Sequence, residues 1–127
     1  MQERHLFEYA VIRIVPRPER EEFVNAGVVL YCADKKFLDL RLQLPLERLR
    51  ALDPELRPEE LQVHLRAFEE ICCGKNTESP IAQLDIASRF RWLTATRSTV
   101  VQTSRVHPGL CEDPKATLER LFSQLAE

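Results

Sequence analysis

The sequence predicts an α+β domain, in which an antiparallel sheet of about four strands carries three to four helices on one side. Residues 6–42 contain β-branched, aromatic and alternating apolar runs, which are typical of strands. Residues 45–92 and 114–125 instead repeat apolar side chains at helical spacing, with one strand-like run between them. The chain has 127 residues, which fits a single domain.

Three strands are predicted in the first third of the chain. Residues 6–15, LFEYAVIRIV, are mostly apolar on both alternating faces, as in a central strand covered on both sides. Pro16 ends this strand because proline cannot donate to a ladder. Residues 28–32 and 37–42 then form a hairpin around a tight turn, ADKK. In its second strand Leu38, Leu40 and Leu42 are expected to face inward and Asp39 and Arg41 outward.

Helices are predicted from residue 45 onward. A short helix covers residues 45–52, and the clearest one covers residues 57–74, where Pro58 suits the first turn and Gly74 suits the exit. Its buried stripe comprises Leu61, Leu65, Phe68 and Cys72.

The last third of the chain is predicted to hold two helices and a strand. One helix runs from Ser79-Pro80 to Trp92, with Leu84, Phe90 and Leu93 inward. Residues 98–104 form a fourth strand, and Asp113 caps a final helix that begins at Pro114.

Composition limits the class of protein. The net charge of -2 gives no overall attraction to nucleic acid or to an anionic membrane. No segment approaches the roughly 18–20 apolar residues of a membrane helix, and the charged start lacks a secretory signal, so we expect a cytoplasmic protein.

The four cysteines show no metal-site spacing. We interpret them as reduced, small apolar residues and predict neither a metal nor a cofactor. The alternative is a nucleophilic Cys111, which follows His107 in the run HPGLC.

The run FVNAGVVLYC, residues 23–32, places Asn-Ala-Gly inside a strand-like pattern. Glycine permits a bulge, and asparagine tolerates unusual backbone geometry. The first interpretation is therefore a bend at the start of the strand. The second is that Gly27 lets a ligand approach the backbone, with Asn25 as a hydrogen-bonding neighbour.

Charge is distributed unevenly along the chain. Residues 86–111 contain no acidic residue, whereas residues 53–70 contain six. The basic segment includes Arg89, Arg91, Arg97, Arg105 and His107. These arginines either serve as an interaction surface or lie solvated or paired with the acidic helix.

An anion site is one hypothesis for this basic segment. Arg97, Ser98 and Thr99 offer a guanidinium and two hydroxyls in succession, which suit phosphate or carboxylate. Arg13 interrupts an apolar strand, so it either reaches water at a sheet end or pairs in a polar site. If Arg13, Asn25 and this triplet are adjacent, they form an anion pocket at one end of the sheet.

Two sequence runs resemble a known family. Phe-Val-Asn-Ala-Gly-Val at residues 23–28 and Arg-Phe-Arg-Trp-Leu at residues 89–93 are similar to the bacterial family called domain of unknown function 3037. The resemblance covers about residues 7–122, and Thr96 stands where members often have proline. The family name assigns no activity. Its members can lie beside genes for HipA-like kinases, which implies such a kinase as a partner.

The sequence therefore predicts a small cytoplasmic, non-catalytic module that binds a protein partner, because it lacks the standard phosphate-loop, nucleophile-elbow and zinc-protease motifs. The alternative is a phosphate- or nucleotide-binding domain, or an enzyme that acts on an anionic substrate. That function would use Arg13, Asn25, Arg97, Ser98, Thr99 and His107. Nucleic-acid binding is disfavoured by the overall charge, and self-association stays open.

Overall fold

A computed structural model describes residues 3–75, 78–97 and 99–127. The strands are β1 (His5–Ile14), β2 (Val24–Cys32), β3 (Phe37–Leu42), β4 (Val101–Thr103) and β5 (His107–Cys111). The helices are α1 (Leu46–Leu52), α2 (Pro58–Cys73), α3 (Ile86–Leu93) and α4 (Pro114–Leu125), and a 3-10 turn covers Pro18–Arg20.

The sheet is antiparallel at every described pairing, and β1 is its centre. The strand order is β3-β2-β1-β4, and β5 also pairs with β1. Along the side of β1 that is away from β2, β5 pairs with residues 5–9 and β4 pairs with residues 12–14. The prediction of a central first strand is confirmed.

The two faces of the sheet belong to separate cores. Ala10, Ile12 and Ile14 alternate along β1 and pack in a core with α2 and α3. On the opposite face Phe7 packs with β2 and with α4 residues such as Phe122. The α+β class is confirmed, but the expectation that all helices lie on one side is corrected. Helices cover both faces because β1 and β2 are apolar on both.

The hairpin forms as predicted, and its first strand is longer than expected. The turn closes with a hydrogen bond from the Lys36 amide to the Ala33 carbonyl, 3.1 Å. Strand β2 begins at Val24, so it includes the Asn-Ala-Gly run. Ile12 pairs with Gly27 and Arg13 pairs with Asn25, so Ala26 is the extra residue of a bulge. The bend interpretation of this run is confirmed.

The termini of α2 and α4 follow the predicted signals. Pro58 begins α2, and Gly74 ends it in the left-handed region with a φ of 68°. The stripe of Leu61, Leu65, Phe68 and Cys72 is buried. At α4, the Asp113 side chain accepts a hydrogen bond from the Lys115 amide, 3.1 Å.

Two elements differ from the prediction. The helix expected from Pro80 begins at Ile86, because Asp85 provides the N-cap and accepts a 2.7 Å hydrogen bond from the Ser88 amide. Leu84 consequently lies outside the helix and is 46% exposed, not turned inward. Strand β5 was not predicted, since its sequence contains Pro108 and Gly109.

The cysteines are free, and three of the four are buried. Burial raises the pKa of the Cys72 thiol and also that of Cys111. Cys111 is therefore buried beside Cys32, and burial raises the pKa of its thiol, which disfavours the nucleophile interpretation. Within the described residues, no helix is both long and apolar enough to cross a membrane.

Candidate binding cleft

Arg13 lies at the carboxyl end of β1, immediately after the bulge. It pairs with Asn25 of β2 on one side and with Gln102 of β4 on the other. Directly opposed residues of antiparallel strands point to the same face. Three polar residues therefore form a row across three strands, on the face that α4 covers elsewhere.

The Arg13 guanidinium stacks on an aromatic ring. Its central carbon lies 4.2 Å from the centre of the Phe23 ring. Its Nε is buried, and no acceptor in the described part of the chain pairs with it. A buried donor without an acceptor costs free energy. The side chain is thus held against Phe23, and its buried Nε makes no hydrogen bond to the described residues.

Arg97 is anchored at the end of α3. Its central carbon lies 4.1 Å from the centre of the Trp92 ring. Its Nε donates to the Ala95 carbonyl at 3.3 Å, and its Nη2 donates to the Trp92 carbonyl. Burial lowers the pKa of Arg97, but an arginine in a protein still carries its proton. The two hydrogen bonds of Arg97 to these carbonyls do not use Nη1, so this nitrogen can serve a ligand.

The two arginines line one cleft of about 480 Å³. We call it the arginine cleft, and its lining residues are Arg13, Val15, Pro18, Glu21, Phe23, Thr96, Arg97 and Gln102. Glu21 brings a carboxylate to this cleft, yet the ion pairs of the described residues do not include it. Two cations against one carboxylate make the cleft electropositive.

Asn25 and Gly27 lie next to the arginine cleft but do not line it among the described residues. The Asn25 side chain donates to the Leu125 carbonyl at 3.2 Å, which fixes the end of α4. At Gly27 the space for a side chain is occupied by the Arg41 carbonyl of β3. The close backbone approach at this glycine is therefore made by a neighbouring strand, which corrects the hypothesis of a ligand there.

The remaining residues of the predicted anion pocket do not line the arginine cleft among the described residues. Thr99 lines an adjoining cleft that also contains Arg97, and its hydroxyl donates to the Val101 carbonyl at 2.8 Å. Ser98 lies outside the described residues. His107 pairs with Tyr9, and their ring centres are 5.3 Å apart. Tyr9 is four residues from Arg13, which is about 13 Å along a strand.

The other arginines of the basic segment are dispersed. Arg91 donates to the Glu8 carboxylate at 2.7 Å, so its partner is on β1 and not on the acidic helix. Arg89 lies against Gly74 at the end of α2, where a cation suits the helix dipole. Arg105 is exposed. Arg91 is thus engaged by β1 and Arg89 by the end of α2, while Arg105 is exposed on the β4–β5 connection.

Six lining residues of the arginine cleft were not predicted from the sequence, and Glu21, Phe23 and Gln102 are the ones that bear on Arg13. Gln102 lies between Val101 and Thr103 in β4, and its pairing with Arg13 is a long-range contact that its local sequence does not indicate. The role of Phe23 depends on the bulge, which brings the start of β2 beside Arg13.

Fold and cleft together define a mixed α+β protein with an antiparallel sheet and an electropositive cleft at one sheet end. The chain belongs to the family described as "Protein of unknown function (DUF3037)", whose model matches residues 9–126. Neither a curated protein nor a solved structure matches the chain.

Proposed function

We propose that this protein is a non-catalytic binding module, which holds an anionic group of a partner protein between Arg13 and Arg97. The observation that carries the proposal is the state of Arg13. Its guanidinium is stacked on Phe23 and lines the same cleft as Arg97. Its Nε is buried and has no acceptor among the described residues.

The geometry suits a carboxylate or phosphate. A guanidinium presents its donors in one plane, and stacking on a ring fixes that plane. Arg13 and Arg97 are both stacked, at 4.2 Å and 4.1 Å from their rings. A bound anion would satisfy the free donors of Arg13 and would also reduce the repulsion between the two cations.

The partner is the next part of the proposal. The family resemblance makes a HipA-like kinase one candidate, with this chain as its accessory subunit. A cytoplasmic setting is proposed as well, and four free cysteines fit a reducing compartment. Catalysis by His107 is a weaker hypothesis, since this ring lies beside Tyr9, four residues along β1 from Arg13.

Thermal unfolding in the presence of phosphate or malonate tests the anion site. Each anion is titrated at constant ionic strength, with chloride as the replacement salt. A ligand at about 100 times its dissociation constant stabilises a protein by roughly 2.7 kcal/mol. We expect a saturable rise in Tm for the native chain and a loss of that rise in Arg13→Met and Arg97→Met.

The control is Arg105→Met, which removes an exposed guanidinium outside the arginine cleft. Arg105→Met should keep the whole anion-dependent rise in Tm. Equal rises in all four proteins would show that the anion acts on the general surface, and would refute the proposed site.

A further inference from the structure

A second cleft adjoins the arginine cleft at Arg97. It has a volume of about 160 Å³, and we call it the apolar cleft. Its lining residues are His64, Ala67, Phe68, Ile71, Trp92, Arg97, Thr99 and Val101. Trp92 thus forms a wall of this cleft while its ring also supports the Arg97 guanidinium. One arginine separates a basic compartment from an apolar one.

A third cleft adjoins the apolar cleft at His64. It has a volume of about 190 Å³, and we call it the acidic cleft. Its charged lining residues are Asp53, Glu55, Arg57 and Glu60. Arg57 already lies 3.8 Å from Glu60, and Asp53 lies 3.7 Å from Arg17. Carboxylates outnumber cations here, which is the opposite of the arginine cleft.

Helix α2 connects the apolar and acidic clefts. Glu60, His64, Ala67, Phe68 and Ile71 repeat at helical spacing, so they form one stripe along α2. From Glu60 to Ile71 this stripe extends about 17 Å, at roughly 1.5 Å per residue. An extended peptide covers that length with about five residues. The stripe therefore has the length of a short linear motif.

We infer that the three clefts form one groove for an extended peptide segment of a partner protein. Its acidic residue occupies the arginine cleft, an apolar side chain occupies the apolar cleft, and a basic residue lies against the acidic cleft. This inference rests on the proposed function and adds the order of residues that the groove selects. Charge complementarity at both ends fixes the direction of the peptide, since a reversed peptide places like charges together.

Selection from a displayed library of random twelve-residue peptides tests this inference on the whole chain. We expect enrichment of sequences with an acidic, an apolar and a basic residue in a single order. In the Glu60→Lys variant the preference for the basic residue should disappear, while the preference for the acidic residue persists. Glu3→Lys, at the opposite end of β1, makes the same charge change and should leave the selected sequences unchanged.

The apolar cleft has its own variant. Ala67 is exposed on α2, so Ala67→Gln places a longer polar side chain in the cleft without disturbing a buried position. We expect at least a tenfold loss of affinity for a selected peptide, measured by fluorescence anisotropy. An unchanged affinity, or selected peptides that occur in both directions, would overturn the inference.

The two proposals fail in different ways. Selected peptides that are acidic but lack an ordered apolar and basic residue would overturn the groove and leave the anion site intact. If phosphate raises the Tm through Arg13 and Arg97 but no peptide is enriched, the anion site stands, while the groove and the partner-protein ligand are both overturned, since a small anion is then the ligand. Enriched peptides that bind Arg13→Met as well as the native chain would overturn both.

Discussion

Arg13 and Asn25 lie directly opposite each other across β1 and β2, one position beyond the point where the register of the two strands shifts. If the register did not shift at Ala26, Arg13 would pair with Ala26 and Ile14 with Asn25, and the Asn25 side chain would turn toward the core with α2 and α3. The bulge therefore keeps Asn25 on the face of Arg13 and α4. The Asn-Ala-Gly run of the sequence therefore forms the bulge that lies beside the candidate cleft.

Gly27→Ala should strongly destabilise the protein. The added Cβ would overlap the Arg41 carbonyl oxygen, which is backbone of a neighbouring strand and cannot rotate away. We expect a loss of about 1–3 kcal/mol in the free energy of unfolding, measured by denaturant titration. At Gly109 an added Cβ would overlap the buried Phe7 ring, so Gly109→Ala should be destabilising as well. A Gly27→Ala variant as stable as the native chain would contradict the close packing of β2 on β3.

Arg13→Met should leave the ligand-free protein as stable as before or stabilise it by about 1 kcal/mol. The change removes a buried donor that has no acceptor among the described residues, and it removes one of the two positive charges that line the cleft. Residues kept for binding commonly cost stability in this way. Urea unfolding in an anion-free buffer measures the effect.

Arg91→Met provides the comparison for that experiment. Its guanidinium bonds the Glu8 carboxylate at 2.7 Å on a partly exposed surface, so its loss should cost up to about 1 kcal/mol. If Arg13→Met destabilised the protein more than Arg91→Met, Arg13 would have a structural role and the functional interpretation would be weakened.

The capping carboxylate of Asp85 should make the stability of the protein depend on pH in the acidic range. Hydrogen bonds from Ser88 lower the pKa of Asp85. A carboxylate whose pKa is lower in the folded than in the unfolded protein stabilises the fold. This stabilisation is complete above the ordinary carboxyl pKa and is lost as the pH falls through the pKa of the folded state. The Tm difference between the native chain and Asp85→Ala should thus be largest near neutral pH and should shrink in that acidic range. A difference that stays constant down to the lowest pH would exclude the ionised cap.

Alkylation should distinguish one cysteine from the other three. Cys73 is exposed, whereas Cys32, Cys72 and Cys111 are buried, and burial raises the pKa of Cys72 and Cys111. Iodoacetamide at neutral pH should therefore modify Cys73 first in the folded chain, as read by peptide mass spectrometry. In denaturant all four should react at similar rates. Rapid labelling of Cys111 in the folded protein would restore it as a candidate nucleophile.

Helix ends that are set by neighbouring residues in the sequence were predicted correctly. Pro58 and Gly74 bound α2 because the first-turn and exit preferences are local. Strand β5 escaped prediction because its pairing with β1 is a long-range contact that overrides the strand preferences of Pro108 and Gly109. The first turn after Pro80 was assigned to a helix because Asp85 was not recognised as the N-cap.

The candidate site was predictable only in part. Arg13 and Arg97 were identified as unusual cations, and the structure places both in one cleft. His107 was assigned to the same set by its proximity in sequence, but the pairing of β5 with β1 carries it to Tyr9. Phe23 and Gln102 join Arg13 through the bulge and the β1–β4 pairing, neither of which a local pattern specifies.

Nuclear magnetic resonance of the arginine side chains, recorded during a phosphate titration, tests the central proposal most directly. The signals of Arg13 and Arg97 should move along one saturable curve, while the signal of exposed Arg105 changes little at constant ionic strength. If Arg13 and Arg97 moved no more than Arg105 across the titration, the cleft would not be an anion site.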